Sequence, residues 1–395
     1  MNSSHPRLPT LVDLPSGPMA VGILGEQLSH AVENSEVVIA ALPMLGPQVS
    51  EALRSRLIDA IAPGEPLAHS EGQVLLTTSG STGTAKAVVH SIAAVRHAAE
   101  ALHERLGGPG HWLCALPLHT SAGFMTVARA VLSGTRAVAT ASLGGAESFA
   151  ASNFLAACEQ IPTSGRRYTS MVPAMASRLA EHPDALAALA TFDAVLLGGQ
   201  AIPSELITTL SGAGVNVVLS YGATETCGGC VYDGQPLRDV TVSIADDGRV
   251  VICGPPVMLG YRHMPAAMPP NVEQSFGSAG VQRCVTVPDL GRIDDQGRLH
   301  INGRVDDVVI VNGINVSISA VETVLRDLGL ATVVCSGNDQ LFAVTAVGIS
   351  PDESDAAVAR IHEQFGIRVR MRVLRDVPVT AAGKPDRSAL AAQLS

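Results

Sequence analysis

Aromatic residues are scarce, with seven Phe, four Tyr and one Trp in 395 residues. A core must therefore be assembled mainly from Ala, Val, Leu and Ile. Hydrophobic residues make up 47% of the chain, ample for that purpose, and global disorder is excluded. A basic excess is lacking too. Lys+Arg number 26 against Asp+Glu 36, giving a net charge of −10, so binding to nucleic acid through its phosphates has no electrostatic support. No apolar run approaches the roughly 18 residues that a membrane helix needs. The opening stretch MNSSHPRLPTLVDLPSG holds Pro6, Pro9 and Pro15 and no apolar signal core, so neither a signal peptide nor an anchor is expected. The seven cysteines are odd in number and scattered, which suits reduced thiols in a cytoplasmic protein.

What is present is a long alternation of short β-branched runs with amphipathic stretches. Strands are expected at 36–41, 73–78, 111–116, 135–140, 194–197 and 215–220, and helices at 87–106, 124–133, 148–160 and 203–211. That order predicts parallel strands with crossover helices. After residue 238 the texture changes to hairpins turning at Asp247-Gly248 and Gln296-Gly297, each a polar residue followed by Gly. From 306 to 395 the pattern reads strand, helix (319–328), strands (331–335 and 341–347), helix (353–365), strand (367–374) and helix (386–394). The fold class expected is α/β. A large N-terminal domain (1–305) of mostly parallel sheets with crossover helices precedes a small mobile α+β domain (306–395).

The densest chemical signal is VLLTTSGSTGTAK (74–86). A buried-strand run leads into Thr78, Ser79, Gly80, Ser81, Thr82 and Gly83, then Lys86, with a helix expected to follow. Glycines let backbone approach an anion, and successive N–H groups and hydroxyls line a concavity for phosphate oxygens. Lys86 adds a positive point charge. The Walker pattern does not fit, because Gly80 and Gly83 are too close and Lys86 does not follow a glycine.

This S-G-S-T-G-x-x-K loop resembles the signature of the adenylate-forming superfamily, which contains acyl-CoA synthetases, peptide-synthetase adenylation domains and luciferases. The resemblance spans about residues 74–390. It implies a large and a small domain, ATP-driven formation of an acyl-adenylate, and usually transfer of the acyl group to a thiol. Gly198-Gly199-Gln200-Ala201 resembles the family's adenine-contacting segment. Tyr221-Gly222-Ala223-Thr224-Glu225 matches Y-G-x-T-E, in which Tyr stacks on adenine, Thr contacts phosphate and Glu holds Mg²⁺. A carboxylate is a hard oxygen ligand suited to Mg²⁺ beside phosphates. Asp289 and Arg304 match ribose and phosphate contacts, although Val287-Pro288-Asp289 stands where the family usually has T-G-D. Asp306 matches the hinge, Gly313 the strand edge lining the pantetheine tunnel, and Lys384 the lysine that reaches carboxylate and α-phosphate during adenylation.

Two segments depart or extend. In Leu116-Pro117-Leu118-His119-Thr120 the histidine sits where the family has an aromatic and Thr120 where it has histidine, so His119 receives no catalytic role. Cys227-Gly-Gly-Cys230 lacks the second ligand pair that a zinc site needs; packing around the nucleotide loop accounts for it. ETCGGCVYDGQPL (225–237) resembles the matching segment of actinobacterial o-succinylbenzoate–CoA ligases of menaquinone biosynthesis, which share a short region before the phosphate loop. The resemblance thus implies ATP, Mg²⁺ and coenzyme A, with a small carboxylic acid as substrate; a homo-oligomer is left open. Another aryl- or acyl-activating ligase, with CoA or a carrier protein as acceptor, is the nearer alternative, and a nucleotide-binding regulator without activity the other.

Overall fold

The computed structural model describes residues 7–46, 49–78, 85–145, 147–263, 272–277, 280–311, 314–330, 332–337, 340–378 and 385–394. The chain divides into two compact units. The first comprises Met1–Ser243, Val251–Val287 and Asp295–Arg298, the second Ile244–Val250, Pro288–Asp294 and Leu299–Ser395.

Two sheets organise the first unit. One is ordered β1 (Thr10–Leu14), β2 (Ile39–Pro43), β3 (Val74–Thr78), β4 (Lys86–His90), with the short strand Gly260–Tyr261 at its edge. β1, β2 and β3 run parallel, and β4 returns antiparallel to β3. The other sheet holds β5 (Gly110–Cys114), β6 (Ala137–Ala139), β7 (Arg166–Met171), β8 (Ala194–Gly198) and β9 (Val217–Ala223) in the order β9-β8-β7-β5-β6. All five are parallel. β10 (Gly228–Tyr232) and β11 (Gln235–Pro236) then extend it antiparallel beyond β9. Strands buried on both faces read as unbroken apolar runs, as Ala194–Leu197 does, fully buried along its length.

Helices fill the spaces that these sheets create. α1 (Met19–Glu33), α3 (Ile92–Arg105) and α4 (Ser121–Leu132) lie between the sheets, where Leu24, Leu28, Val95, Phe124 and Val127 meet Ile39, Leu76 and Cys114. α2 (Glu51–Ile61) covers the outer face of the first sheet through Leu57 and Ile61. α5 (Ala151–Cys158), α6 (Pro173–Ala180), α7 (Pro183–Leu189) and α8 (Ser204–Gly212) cover the outer face of the second. The mostly parallel α/β architecture expected from the sequence is the one observed.

One local expectation is overturned. The segment after the phosphate loop is a strand, β4, and the helix begins only at Ile92. Ala87, Val88 and Val89 are all buried within the first sheet. Ser91 then stops the strand, because its side chain accepts from the Ala94 N–H and caps α3. Lys86 is therefore paired directly opposite Thr78 on a returning strand. The cysteine expectation also changes: Cys253 and Cys284, on neighbouring strands of the first unit, form a disulfide. Cys114, Cys158, Cys227, Cys230 and Cys335 are free thiols.

The second unit is α+β. Three strands, Thr332–Gly337, Gln340–Thr345 and Val369–Val373, form its sheet. Helices Ile318–Asp327 and Pro351–Phe365 bury Val321, Leu325, Ala357 and Ile361 against Val334, Leu341, Ala343 and Val369. The last helix, Arg387–Leu394, packs Leu390 on Cys335, Phe342 and Val344. The hairpin expected at Gln296-Gly297 forms, with Ile293 paired to Leu299 and Asp289 to Arg304. Among the described residues no helix is long and apolar enough to cross a membrane.

Candidate active site

Parallel sheets place ligands at the carboxyl ends of their strands, and the candidate residues of the first unit collect there. β8 ends at Gly198, followed by Gly199 with φ +79° and then Gln200. Gly198 pairs with Ser220 of β9, which carries on to Tyr221 and Gly222. A 3-10 turn, Thr224–Thr226, follows. It is pinned by Thr226, whose hydroxyl oxygen accepts from the Ala223 N–H at 3.0 Å and whose hydroxyl donates to the Gly228 carbonyl at 2.8 Å.

Buried polar atoms without a partner are costly. Among the described residues, three of them sit at the carboxyl ends of strands: Gln200 Nε2 after β8, Ser170 Oγ near the end of β7 and Thr77 Oγ1 near the end of β3. Donors and hydroxyls left unsatisfied at these positions suit a polar ligand such as a nucleotide.

The first sheet brings a lysine and a tyrosine to the glutamate of that turn. Tyr261 donates its hydroxyl to Glu225 Oε1 at 2.8 Å. Lys86 Nζ lies 5.5 Å from the centre of the same ring. Lys86 and Glu225 thus converge on Tyr261, which no sequence motif singled out, and Thr78 is the ladder partner of Lys86 on β3. Lys86 lies on β4 and Tyr261 on the strand that pairs with it from far along the chain, so only the fold reveals the contact. Mg²⁺ fits this donor set. Glu225 offers one hard carboxylate oxygen, and no cluster of three or more His, Cys, Asp or Glu exists among the described residues. One carboxylate supplemented by substrate phosphates and water is the arrangement Mg²⁺ favours over an all-protein cage.

The turn carrying Glu225 is also held from β4. His90 Nε2 donates to the Thr224 carbonyl at 2.8 Å, and the Cys227 thiol lies 3.2 Å from His90 Nδ1. Because Nε2 carries the proton, Nδ1 is the acceptor and the thiol the donor. Burial pushes the Cys227 thiol up, and that of Cys230 up to about 12. Both are buried free thiols, and Cys227 packs against His90 beside the turn Thr224–Thr226.

Burial lowers His90 to about 4, the Thr224 carbonyl opposing in part. It lowers His103 likewise to about 4, aided by the Arg129 guanidinium; His103 Nε2 accepts from the Trp112 indole at 3.1 Å. Both rings are neutral when folded and titrate near 6.5 when unfolded. Between those values the unfolded chain binds more protons, so stability is full above about pH 6.5 and declines as pH falls toward 4. Lowering pH from 7.5 to 5 is expected to cost on the order of 2 kcal/mol per ring. Thermal melting against pH checks this, and a His103→Gln variant should show a shallower decline than the native chain.

The segment 116–123 departs from the family pattern for a visible reason. Thr120 caps α4, its oxygen accepting from the Gly123 N–H at 3.3 Å while its hydroxyl donates to the Pro117 carbonyl at 2.7 Å. Burial holds His119 at about 4, hence neutral. Further along α4, Arg129 is fully buried, its guanidinium 5.0 Å from the Trp112 ring centre and 3.3 Å from the Tyr232 hydroxyl. Arg166 and Arg167 are structural: the first pairs with Asp193, and the second packs over Phe192 and donates to Thr191.

The second unit brings two further candidates together. Asp289 and Arg304 face each other across the antiparallel ladder and form an ion pair of 3.1 Å. Val287-Pro288-Asp289 runs inside an extended strand, Gly280–Ile293. Asp306 belongs to the 3-10 turn Val305–Asp307; its side chain is outside the described residues. So are Ser79, Gly80, Ser81, Thr82 and Gly83 of the loop, Gly313 and Lys384.

A two-sheet α/β unit that gathers a threonine, a lysine and a glutamate beside unsatisfied donors at its strand ends is the scaffold of a nucleotide-using enzyme. Residues 21–262 match the family model described as AMP-binding enzyme, and the chain belongs to that family. It is 32% identical over 391 residues to a probable 2-succinylbenzoate–CoA ligase of Mycobacterium tuberculosis, covering 95% of this chain and 96% of that protein. A 2-succinylbenzoate–CoA ligase of Enterococcus faecalis is 26% identical over 345 residues, covering 78% of this chain and 67% of that protein. Among solved structures, an amide bond synthetase from Marinactinospora thermotolerans superposes with a TM-score of 0.75 at 22% identity, covering 99% of this chain and 91% of the other. The o-succinylbenzoate coenzyme A synthetase of Bacillus subtilis, in complex with ATP and magnesium ion, gives 0.70 at 20% identity, covering 96% and 89%. These two likenesses speak for the fold.

Proposed function

We propose that the chain is an AMP-forming acid–thiol ligase that converts o-succinylbenzoate to o-succinylbenzoyl-CoA in menaquinone biosynthesis. The observation that carries the substrate is the end-to-end similarity to the mycobacterial ligase, 32% identity across 95% of this chain. In the first half-reaction a carboxylate oxygen of the substrate attacks the α-phosphorus of ATP and pyrophosphate leaves. Thr78 and the loop Ser79–Gly83 bind phosphate oxygens, Lys86 and Lys384 place positive charge on them, and Thr224 contacts phosphate. Tyr221, Gly222, Gly199 and Gln200 receive the adenine, and Asp289 with Arg304 the ribose. Glu225 would hold magnesium, which when bound would neutralise phosphate charge.

In the second half-reaction the CoA sulfur attacks the acyl carbonyl carbon and AMP leaves with the bonding electrons. A swing of residues 306–395 about Asp306 exchanges the two half-reactions, and Gly313 lines the passage for the pantetheine arm. Glycine suits that place because a side chain would fill the space the arm crosses. Gly313→Leu is accordingly expected to leave pyrophosphate release intact and to block thioester formation; undiminished CoA ester, read by mass spectrometry, would remove Gly313 from the passage.

The deciding assay is pyrophosphate release with MgATP against a panel of carboxylates, with and without CoA. Release confined to o-succinylbenzoate, together with its CoA ester, is the expected result. Release with another acid alone would keep the chemistry and discard the substrate.

A further inference from the structure

Tyr261 touches two side chains that the adenylation chemistry uses, yet it belongs to none of the segments assigned to that chemistry. Its hydroxyl donates to Glu225 Oε1 at 2.8 Å, and its ring faces Lys86 Nζ at 5.5 Å. The ring itself is buried.

Backbone fixes that ring from both sides. Gly260 and Tyr261 pair antiparallel with Val89 and Val88 of β4. The Leu259 N–H donates to the Val89 carbonyl and the Arg262 N–H to the Ala87 carbonyl, each at 2.8 Å. The Met258 N–H donates to the Glu225 carbonyl at 2.8 Å. The Arg262 guanidinium reaches the carbonyls of Ile61, Ala62 and Pro66 at 3.0, 3.1 and 2.7 Å. The phenol is thus held by strand pairing on one side and by a multiply bonded arginine on the next residue, and it has little freedom to follow Glu225 if that side chain moves.

A carboxylate that accepts one fixed hydrogen bond loses rotamer freedom and presents its other oxygen in a set direction. Such outer partners of ligating groups typically alter metal affinity by about 10–100-fold. An ammonium over an aromatic face is attracted by the ring quadrupole, more strongly as water is excluded from the pair. Tyr261 combines both effects within one ring.

We propose that Tyr261 is a positioning residue, which orients Glu225 for the divalent cation through its hydroxyl and steadies Lys86 for the nucleotide phosphates through its ring. This rests on the ligase reading for the roles of Glu225 and Lys86. The two contacts are separable: Tyr261→Phe removes only the hydroxyl, and Tyr261→Leu removes the ring as well.

Calorimetric titration with α,β-methylene-ATP, a nucleotide that cannot release pyrophosphate, reads binding without turnover. It is run with and without Mg²⁺. Tyr261→Phe is expected to keep the Mg²⁺-free affinity and lose about 10-fold of the gain that Mg²⁺ brings. Tyr261→Leu should lose Mg²⁺-free affinity too. In a Glu225→Gln background, Tyr261→Phe should cost nothing further, a coupling that general loosening of the fold would not produce. An unchanged Mg²⁺ gain in Tyr261→Phe, an equal fall with and without Mg²⁺, or a native chain that shows no Mg²⁺ gain would each overturn the proposal. A native chain that shows the gain but releases pyrophosphate with no carboxylate would sink the ligase reading and leave the Tyr261 result standing.

Discussion

Lys384→Ala is expected to slow pyrophosphate release by roughly 10²–10³-fold, the cost of removing one fixed charge donor from a developing anion. Charge builds on the α-phosphoryl oxygens while the substrate carboxylate approaches them, so two anions must be brought together. A lysine ammonium between them stabilises that arrangement more than it stabilises separate substrates, which lowers the barrier and not only the binding energy. Thioester formation from supplied acyl-adenylate involves neither a second anion at phosphorus nor a departing pyrophosphate. It should stay within about twofold of the native rate. Equal loss of both half-reactions, at an unchanged melting temperature, would show that Lys384 serves the fold or both steps and would remove the exchange of conformations proposed about Asp306.

Local signals made most of the fold legible. β3 and β8 announce themselves as apolar runs ending at small polar residues, and the helix Pro351–Phe365 begins at a capping box. There Ser350 Oγ accepts from the Glu353 N–H and the Glu353 carboxylate accepts from the Ser350 N–H. β4 was hidden because AVVHSIAAVRHAA is apolar at helical spacing from Ala87 onward. Strand pairing with β3 decides against helix there, and Ser91 marks the true start of α3. The disulfide was hidden for a related reason. Cys253 and Cys284 are 31 residues apart, and only the adjacency of their strands makes them partners.

The candidate site divides along the same line. Gly199, Gln200, Tyr221, Gly222, Thr224 and Glu225 were legible as contiguous segments, and the structure sets them at the ends of adjacent strands. Asp289 and Arg304 were legible singly; their pairing across a ladder came from the fold. Tyr261, His90 and Arg129 were not legible at all. His90 meets Thr224 across 134 positions and Arg129 meets Tyr232 across 103. A lone Tyr, His or Arg in an apolar stretch carries no signal of whom it will meet at such a distance. His90 reads as the end of a strand until Thr224 and Cys227 are seen to close around it.

Among the described glycines, Gly222 is the position where one methyl group should do the most damage. Its backbone needs no left-handed conformation, so space alone makes it glycine. A Cβ there would lie 2.0 Å from the Gly228 oxygen, 2.7 Å from its carbonyl carbon and 2.8 Å from the Gly229 Cα. All three are backbone atoms of β10, the strand paired with Gly222, so no rotamer change relieves the contact. β9 and β10 would have to part, and the turn Thr224–Thr226, which hangs between them, would shift with them. Overpacking a core commonly costs about 1–3 kcal/mol; Gly222→Ala, blocked by main chain on one side, is expected at or above the top of that range and to abolish pyrophosphate release. Gly22→Ala supplies the contrast. Gly22 lies inside α1, and a Cβ added to it would meet nothing within 4 Å, so alanine there should raise stability by about 0.5–1 kcal/mol through helix propensity. Denaturant melts of the two variants should therefore move in opposite directions. A Gly222→Ala chain that melts with the native protein and still adenylates would mean that β9 and β10 can separate without disturbing the nucleotide turn, and the close approach at Gly222 would then have no part in positioning Tyr221 and Glu225.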